Sequence, residues 1–278
     1  MTISTRFAGV ANVLITDGES SILVDGFFSR PTIPQLALGK LHPDRERISA
    51  GLKQLGVNSL DAVMVTHSHY DHALDSPTVA EMMGATIHGS PSTRKIAEGY
   101  GALAAGVDFR EMHDREPITA GKFTITPIHG LHSEPDRFPG KITEPVSTPA
   151  SAADFRMGGC FSLHIAHPEG SVFVHPSANF IPGALQDFEA DVVYLGIGAA
   201  GSQPEEWIRE YWKETAVALS AKTVRLIHWD AFWRPLSKPL KPIPWPFDRV
   251  GKTMRIFREE AGQQVDVRLA ELWTSLDV

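Results

Sequence analysis

Six residues, His67-Ser68-His69-Tyr70-Asp71-His72, follow the short apolar run at 62–65 after a single residue, Thr66, and constrain this chain more than any other feature. Side chains alternate along an extended backbone, so His67 and His69 leave the strand on one side and both imidazoles reach a single cation. A turn immediately afterwards swings Asp71 and His72 round to a second position close by. Borderline nitrogen donors with one hard carboxylate suit Zn2+, Mn2+ or Fe rather than Ca2+ or Mg2+. Chance yields such a pattern in a chain of this kind roughly once in a thousand, so histidines that merely cap a helix or satisfy buried backbone groups explain it poorly. The isolated His42, His88 and His113 carry no comparable signal.

Composition narrows the chemistry further. The single cysteine, Cys160, excludes an internal disulfide and any multi-cysteine zinc site, leaving His and carboxylate as the donors for a transition metal. Cys160 itself opens an apolar run and reads as a buried thiol. The 278 residues carry a net charge of −7, without a basic cluster that could track a phosphate backbone, which disfavours a nucleic-acid partner. No apolar run approaches the roughly 20 residues of a membrane-spanning helix, so no membrane partner is expected. The first residues lack a basic stretch followed by an unbroken apolar segment, and a cytoplasmic location is the expectation.

Residues 7–16 and 21–24, joined by Asp17-Gly18-Glu19-Ser20, predict a hairpin. A helix is expected over 43–55 and a strand over 62–65. Helices opened by Ser before Pro are expected near 77–83 and 91–98, then strands at 109–112 and 123–128. Residues 133–159 have no sustained period and read as a lid-like loop. A second hairpin at 160–166 and 171–175 precedes a strand at 191–195, a helix at 204–220 and a strand at 223–227. A helix near 249–260 and a strand near 264–268 finish the pattern. No linker divides the chain, so residues 1–278 read as one domain in which hairpins and βα alternation occur in each half. Two sheets packed face to face with helices outside are the predicted architecture.

With its T-H-x-H-x-D-H run directly after a strand, the sequence resembles the metallo-β-lactamase superfamily. The resemblance implies an α/β fold, a four-layer αββα sandwich of two mixed sheets flanked by helices. It implies a first metal held by His67, His69 and His132 and a second by Asp71, His72 and His228, where His228 ends the apolar run at 223–227. Asp25, in Leu23-Val24-Asp25-Gly26, matches the family aspartate that supports the metal loop through hydrogen bonds. In Ile128-His129-Gly130-Leu131-His132-Ser133 the histidine-serine pair resembles members close to the ascorbate-phosphate lactonases, which favours His132; His129 stays open. Where two-metal members carry a bridging aspartate this chain has Ser177, in His175-Pro176-Ser177, so either His175 substitutes or one ion is held more weakly. One or two ions per chain are expected, zinc first, with Mn2+ or Fe open.

Such a site supplies hydroxide as a nucleophile near neutral pH, with Asp71 and His72 as the catalytic pair, Asp71 able to accept the water proton. The aromatic, Pro-rich segment 229–247 could wall an apolar cleft or close a subunit contact in a homo-oligomer. A hydrolase of the lactonase-like branch, acting on a small ester, lactone, amide or phosphodiester, is the leading expectation. The alternatives are an iron-dependent oxidoreductase or oxygenase on the same fold and a non-catalytic metal or ligand sensor; an RNA-processing nuclease ranks last.

Overall fold

Runs such as Val13-Leu14-Ile15 and Val172-Phe173-Val174 are apolar at every position, which a strand needs only when both of its faces are covered. The computed structural model, which describes residues 2–278, provides that covering. Its first half runs β1 (Ser4–Phe7), β2 (Val13–Thr16), β3 (Ser21–Val24), α1 (Ile33–Leu38), α2 (Arg45–Leu55), β4 (Ala62–Met64), α3 (Tyr70–Ala73), α4 (Ser76–Met83), β5 (Thr86–Gly89), α5 (Pro91–Gly99) and β6 (Phe109–Glu111). The second half runs β7 (Ile118–Ala120), β8 (Phe123–Gly130), β9 (Cys160–His167), β10 (Gly170–His175), β11 (Val192–Gly196), α6 (Glu205–Trp212), β12 (Thr223–Ile227), α7 (Val250–Ala261), β13 (Asp266–Leu269) and β14 (Ser275–Asp277).

Two seven-stranded mixed sheets result, ordered β14-β1-β2-β3-β4-β5-β6 and β13-β12-β11-β10-β9-β8-β7. Each is antiparallel at its hairpin end and parallel where helices cross over. Alternation decides which residues go where. Val13, Ile15, Ile22 and Val24 meet Leu163, Ile165, Val172 and Val174 between the sheets. Their neighbours Leu14 and Leu23 face α2 and α4 through Ile48, Leu52 and Val79, while Phe173, Val193 and Leu226 face α6 and α7 through Ile208, Trp212 and Phe257. The αββα sandwich implied by the metal-binding run is therefore the observed fold.

Several boundaries differ from those expected. The strand at 7–16 breaks in two, because Gly9 and Val10 take φ of +88° and +55° and Ala8 N donates to Asn12 O at 2.8 Å, closing a turn. Asp75, not Ser76, caps α4; Ser76 Oγ donates back to His72 O at 2.9 Å, behind the metal-binding run. The helix expected over 204–220 is α-helical only to Trp212 and continues as a π-helical turn at Lys213–Val217, where buried Thr215 donates to Tyr211 O at 2.5 Å. Strands β7 and β14, three residues each, are too short to show a period. Residues 133–159 hold only one short 3-10 turn, Ala152–Asp154, yet are packed: Ile142 and Val146 are buried, and Val146 N donates to Lys95 O at 3.1 Å. Among the described residues no helix is long and apolar enough to cross a membrane.

One contact aligns the two sheets. Val10, in the turn after β1, accepts from His228 N at 2.6 Å and donates its own N–H to Asp230 Oδ1 at 2.9 Å, just beyond β12. Asp230 Oδ2 also takes a 2.6 Å bond from Arg30 Nη1, and both side chains are fully buried. The guanidinium lies against Gly9, where a Cβ would come within 1.8 Å of Nη2, so that position requires glycine. Removing one partner of a buried pair strands the other charge. Asp230→Ala is expected to lower stability by about 3–5 kcal/mol, read by urea unfolding; a loss below about 1 kcal/mol would show that the pair behaves like an exposed one.

Candidate metal centre

The metal-binding run begins where β4 ends. Val65 N still pairs with His88 O of β5 at 2.8 Å, and Thr66 accepts from Phe161 N of β9 at 2.9 Å, so the backbone leaves the sheet extended and tied to both sheets. His67 and His69 consequently emerge on one side, their ring centroids 5.0 Å apart. His69 then caps α3 with φ −61° and ψ 152°, its side chain turned to the site rather than to the helix N–H groups. The single turn of α3 carries Asp71 and His72 round the corner. His132 arrives from the loop after β8 and His228 from the end of β12, at a φ of +57°.

Two groups of three donors form. His67, His69 and His132 make one; Asp71, His72 and His228 make the other, and within each the donor atoms lie within 4.8 Å of one another. They abut through His67 and His72, whose centroids are 3.8 Å apart. In the second group Asp71 Oδ2 stands 3.3 Å from His228 Nε2 and 3.7 Å from His72 Nε2, and the two imidazole nitrogens are 3.3 Å apart. Two donors about 2.1 Å from one ion at tetrahedral angles are separated by about 3.4 Å. The spacing thus fits a shared cation.

The remaining ring atoms show which nitrogens are free. His72 Nδ1 donates to Asp25 Oδ2 at 2.8 Å, leaving Nε2 for an ion. The same aspartate accepts from Thr66 N at 2.7 Å and Thr66 Oγ1 at 2.6 Å, which places Asp25 in the supporting position the sequence suggested. His132 Nδ1 donates to Ser133 O at 2.8 Å, which frees its Nε2. His67 Nε2 is buried with no hydrogen-bond partner, a cost a cation would relieve. His69 Nε2 points outward, 3.3 Å from both Asp136 Oδ1 and Phe138 O, so its Nδ1 faces inward.

Charge follows from this packing. Burial holds His67, His69 and His132 below the usual imidazole range, His132 at about 4, so these nitrogens stay neutral and available as donors. Burial works to raise the Asp71 carboxyl, but His72 and His228 overcome it and hold it well below the usual carboxylate range. Burial likewise opposes charge on His228, and Asp71 more than reverses it.

The open alternatives resolve by position. His129 is exposed and lines a separate cleft with Ser162, His175 and Phe180, so His132 is the histidine that joins the cluster. His175 does not substitute for a bridge: its Nδ1 accepts from Ser162 Oγ and its Nε2 donates to Asn179 O, each at 2.7 Å, leaving no free donor. Ser177 belongs to neither group; its Oγ accepts from Ser133 N at 2.9 Å, while Asn179 Nδ2 donates to His132 O at 2.8 Å. The segment that carries a bridging ligand elsewhere here fixes the backbone of His132. Cys160 is buried at the start of β9, its thiol pushed up by that burial, and stands outside both groups. Asp136 was not legible as a site residue, since it is one of several carboxylates in a loop without periodicity.

Residues 21–229 match the family described as the beta-lactamase superfamily domain. Among curated proteins the chain is 34% identical over 97 residues to a ribonuclease Z of Bradyrhizobium diazoefficiens, covering 30% of this chain and 32% of that protein. It is 31% identical over 130 residues to a metal-dependent hydrolase of Heliobacterium modesticaldum, covering 46% of each. The chain thus spans less than half the length of the curated relatives it matches. Among solved structures, a metallo hydrolase of Ignicoccus hospitalis aligns with a TM-score of 0.64 at 16% identity over 100% of this chain and 99% of that one. A diiron beta-hydroxylase of Streptomyces venezuelae aligns with 0.62 at 17% identity, over 100% of this chain and 54% of that one. At such identities the likeness is one of fold.

Metal analysis of purified variants checks the donor assignment. His132→Ala is expected to lose the ion of the three-histidine group, whereas His129→Ala and His175→Ala keep the wild-type metal content. Loss of metal in His129→Ala with retention in His132→Ala would reverse the assignment.

Proposed function

The chain belongs to the beta-lactamase superfamily, and from that premise we propose that it is a metal-dependent hydrolase of a small ester, lactone, amide or phosphodiester. The observation that carries this reading is the pair of abutting donor groups, five imidazoles and one carboxylate, with the His67 and His72 rings 3.8 Å apart. The chemistry that a divalent cation would supply when held by these residues is a lowering of the pKa of water from about 15.7 to about 7 and polarisation of the bond under attack. Zinc suits the donors best, with nitrogen predominating and a single carboxylate.

The chain's own residues do the rest. Asp71 directs Oδ2 at His72 and His228, so its other oxygen is the one left to accept a proton from an attacking water. His72 and His228 keep Asp71 ionised at neutral pH, and His228, itself a donor of that group, turns Nε2 to the same position. Asp25 keeps the His72 ring in one tautomer.

Two loops shape the approach. Phe138 lies 6.3 Å from His69, Phe232 lies 6.1 Å from His228, and Trp233 continues outward from Phe232 at 5.0 Å. Phe247 follows Trp233 at 6.3 Å, with the Arg137 guanidinium over its ring at 5.6 Å. An aromatic mouth beside the donors favours a substrate with an apolar body over a polyanion, as does the net charge of −7. The His132-Ser133 pair supports the lactonase-like branch within the superfamily.

A panel of lactones, aryl esters, amides and phosphodiesters tests the proposal on metal-quantified protein. Chelation is expected to abolish turnover and Zn2+ or Mn2+ to restore it. Asp71→Ala should lower kcat by about 10^2–10^4-fold; unchanged metal content and turnover in that variant would remove Asp71 from the mechanism. Trp233→Ala should raise KM with kcat preserved. Oxygen consumption with tightly bound iron and no hydrolysis would overturn the reading in favour of an oxidoreductase.

A further inference from the structure

Two donors turn their outward ring nitrogens to the loop at 133–159, His132 to Ser133 O at its start and His69 to the turn at Asp136 and Phe138. Asp136 Oδ1 and Phe138 O each stand 3.3 Å from His69 Nε2. The Asp136 side chain is 12% exposed, and Oδ1 is fixed by a 2.9 Å bond from Phe138 N. Its sequence neighbour Arg137 does not claim the carboxylate; that guanidinium lies over Phe247 instead. The turn is in turn tied to the metal-binding run, since Met157 N donates to Phe138 O at 2.9 Å and Ser68 N donates to Met157 O at 2.9 Å. Asp136 therefore faces His69 from a built position.

We infer that Asp136 is a positioning residue: fixed by Phe138 N, its carboxylate stands beside the His69 Nε2–H that Phe138 O accepts, favours that proton on Nε2 so that Nδ1 turns to the three-histidine group, and ties the loop at 133–159 to the ion held there. This mirrors Asp25 behind His72 at 2.8 Å. Each donor group then has one histidine backed by a carboxylate. For the three-histidine group the backing has a further consequence, because its donors are neutral and Ser177 brings no charge. Asp136 brings a negative charge to that position from the loop side, 3.3 Å from His69 Nε2.

The inference rests on the proposed metal-dependent reading only through the presence of an ion, and its test reads binding rather than turnover. Metal-free wild type, Asp136→Ala, Asp136→Asn and, as reference, His132→Ala are titrated with Zn2+ against a chromophoric chelator. The binding step that His132→Ala abolishes should weaken by about 10–100-fold in Asp136→Ala, with any other step unchanged. Asp136→Asn, which keeps an acceptor and loses the charge, should lose less. Trypsin should cleave the zinc-loaded Asp136→Ala chain faster than wild type within 133–159, while the metal-free proteins unfold at the same denaturant concentration. Wild-type affinity in Asp136→Ala would overturn the inference, as would equal weakening of every step with a lowered unfolding midpoint. Wild-type protein that binds zinc but hydrolyses nothing would remove the proposed activity and leave this inference to be decided by the titration alone.

Discussion

The site depends on a contact that is not itself chemical, the clamp of Val10 between His228 and Asp230. Four donors, His67, His69, Asp71 and His72, belong to the first sheet, whereas His132 and His228 belong to the second. Neither sheet alone can surround an ion. Shape complementarity of the apolar faces holds the sheets together but is tolerant of small slides, because dispersion and burial are not directional. The bonds His228 N to Val10 O and Val10 N to Asp230 Oδ1 are directional, and buried Arg30 fixes Asp230. A second tie, Phe161 N to Thr66 O, acts at the other end of the run. Between them these bonds tie the two donor sets together, as a coordination site that must be held within about 0.5 Å requires.

Strain is accepted where this alignment needs it. Val10, Asp25 and His228 all adopt positive φ, unusual for residues with a Cβ and costly for a β-branched valine. Val10 and His228 bond to each other across the two sheets and Asp25 stands behind the metal-binding run, so each has its backbone or side chain bonded to a group in the site or the clamp. Gly9 completes the path by leaving room for the Arg30 guanidinium. The conformations are those of residues held by their surroundings, not of flexible turns.

What could be read in the sequence follows the same division between local and long-range causes. The unbroken apolar runs at 13–15, 22–24 and 172–174 show strands of both sheets, and His67-Ser68-His69-Tyr70-Asp71-His72 shows four donors, because each signal is carried within a few residues. His132 and His228 required the family resemblance. Residues 7–16 misled for a physical reason: Val10 and Ala11 continue the apolar run of a strand, but the partners that turn the chain there, His228 and Asp230, lie more than 200 residues away. His175 is an open donor on its position in the sequence, and only Ser162 on the neighbouring strand together with Asn179 O shows that both nitrogens of its ring are already engaged. Asp136 had no local signature at all.

The absence of a bridging carboxylate changes where negative charge sits in the centre. With Ser177 occupied by Ser133 N, charge reaches the three-histidine group from behind, through Asp136 and His69, and the other group both directly from Asp71 and from behind through Asp25. The two positions are thereby unequal. An ion among three neutral imidazoles keeps more of its charge toward solvent and substrate than one that shares Asp71, since a direct carboxylate neutralises more than one acting through a ring. The three-histidine group lies on the side of Phe138 and the loop at 133–159, and the group that contains Asp71 on the side of Phe232 and Trp233.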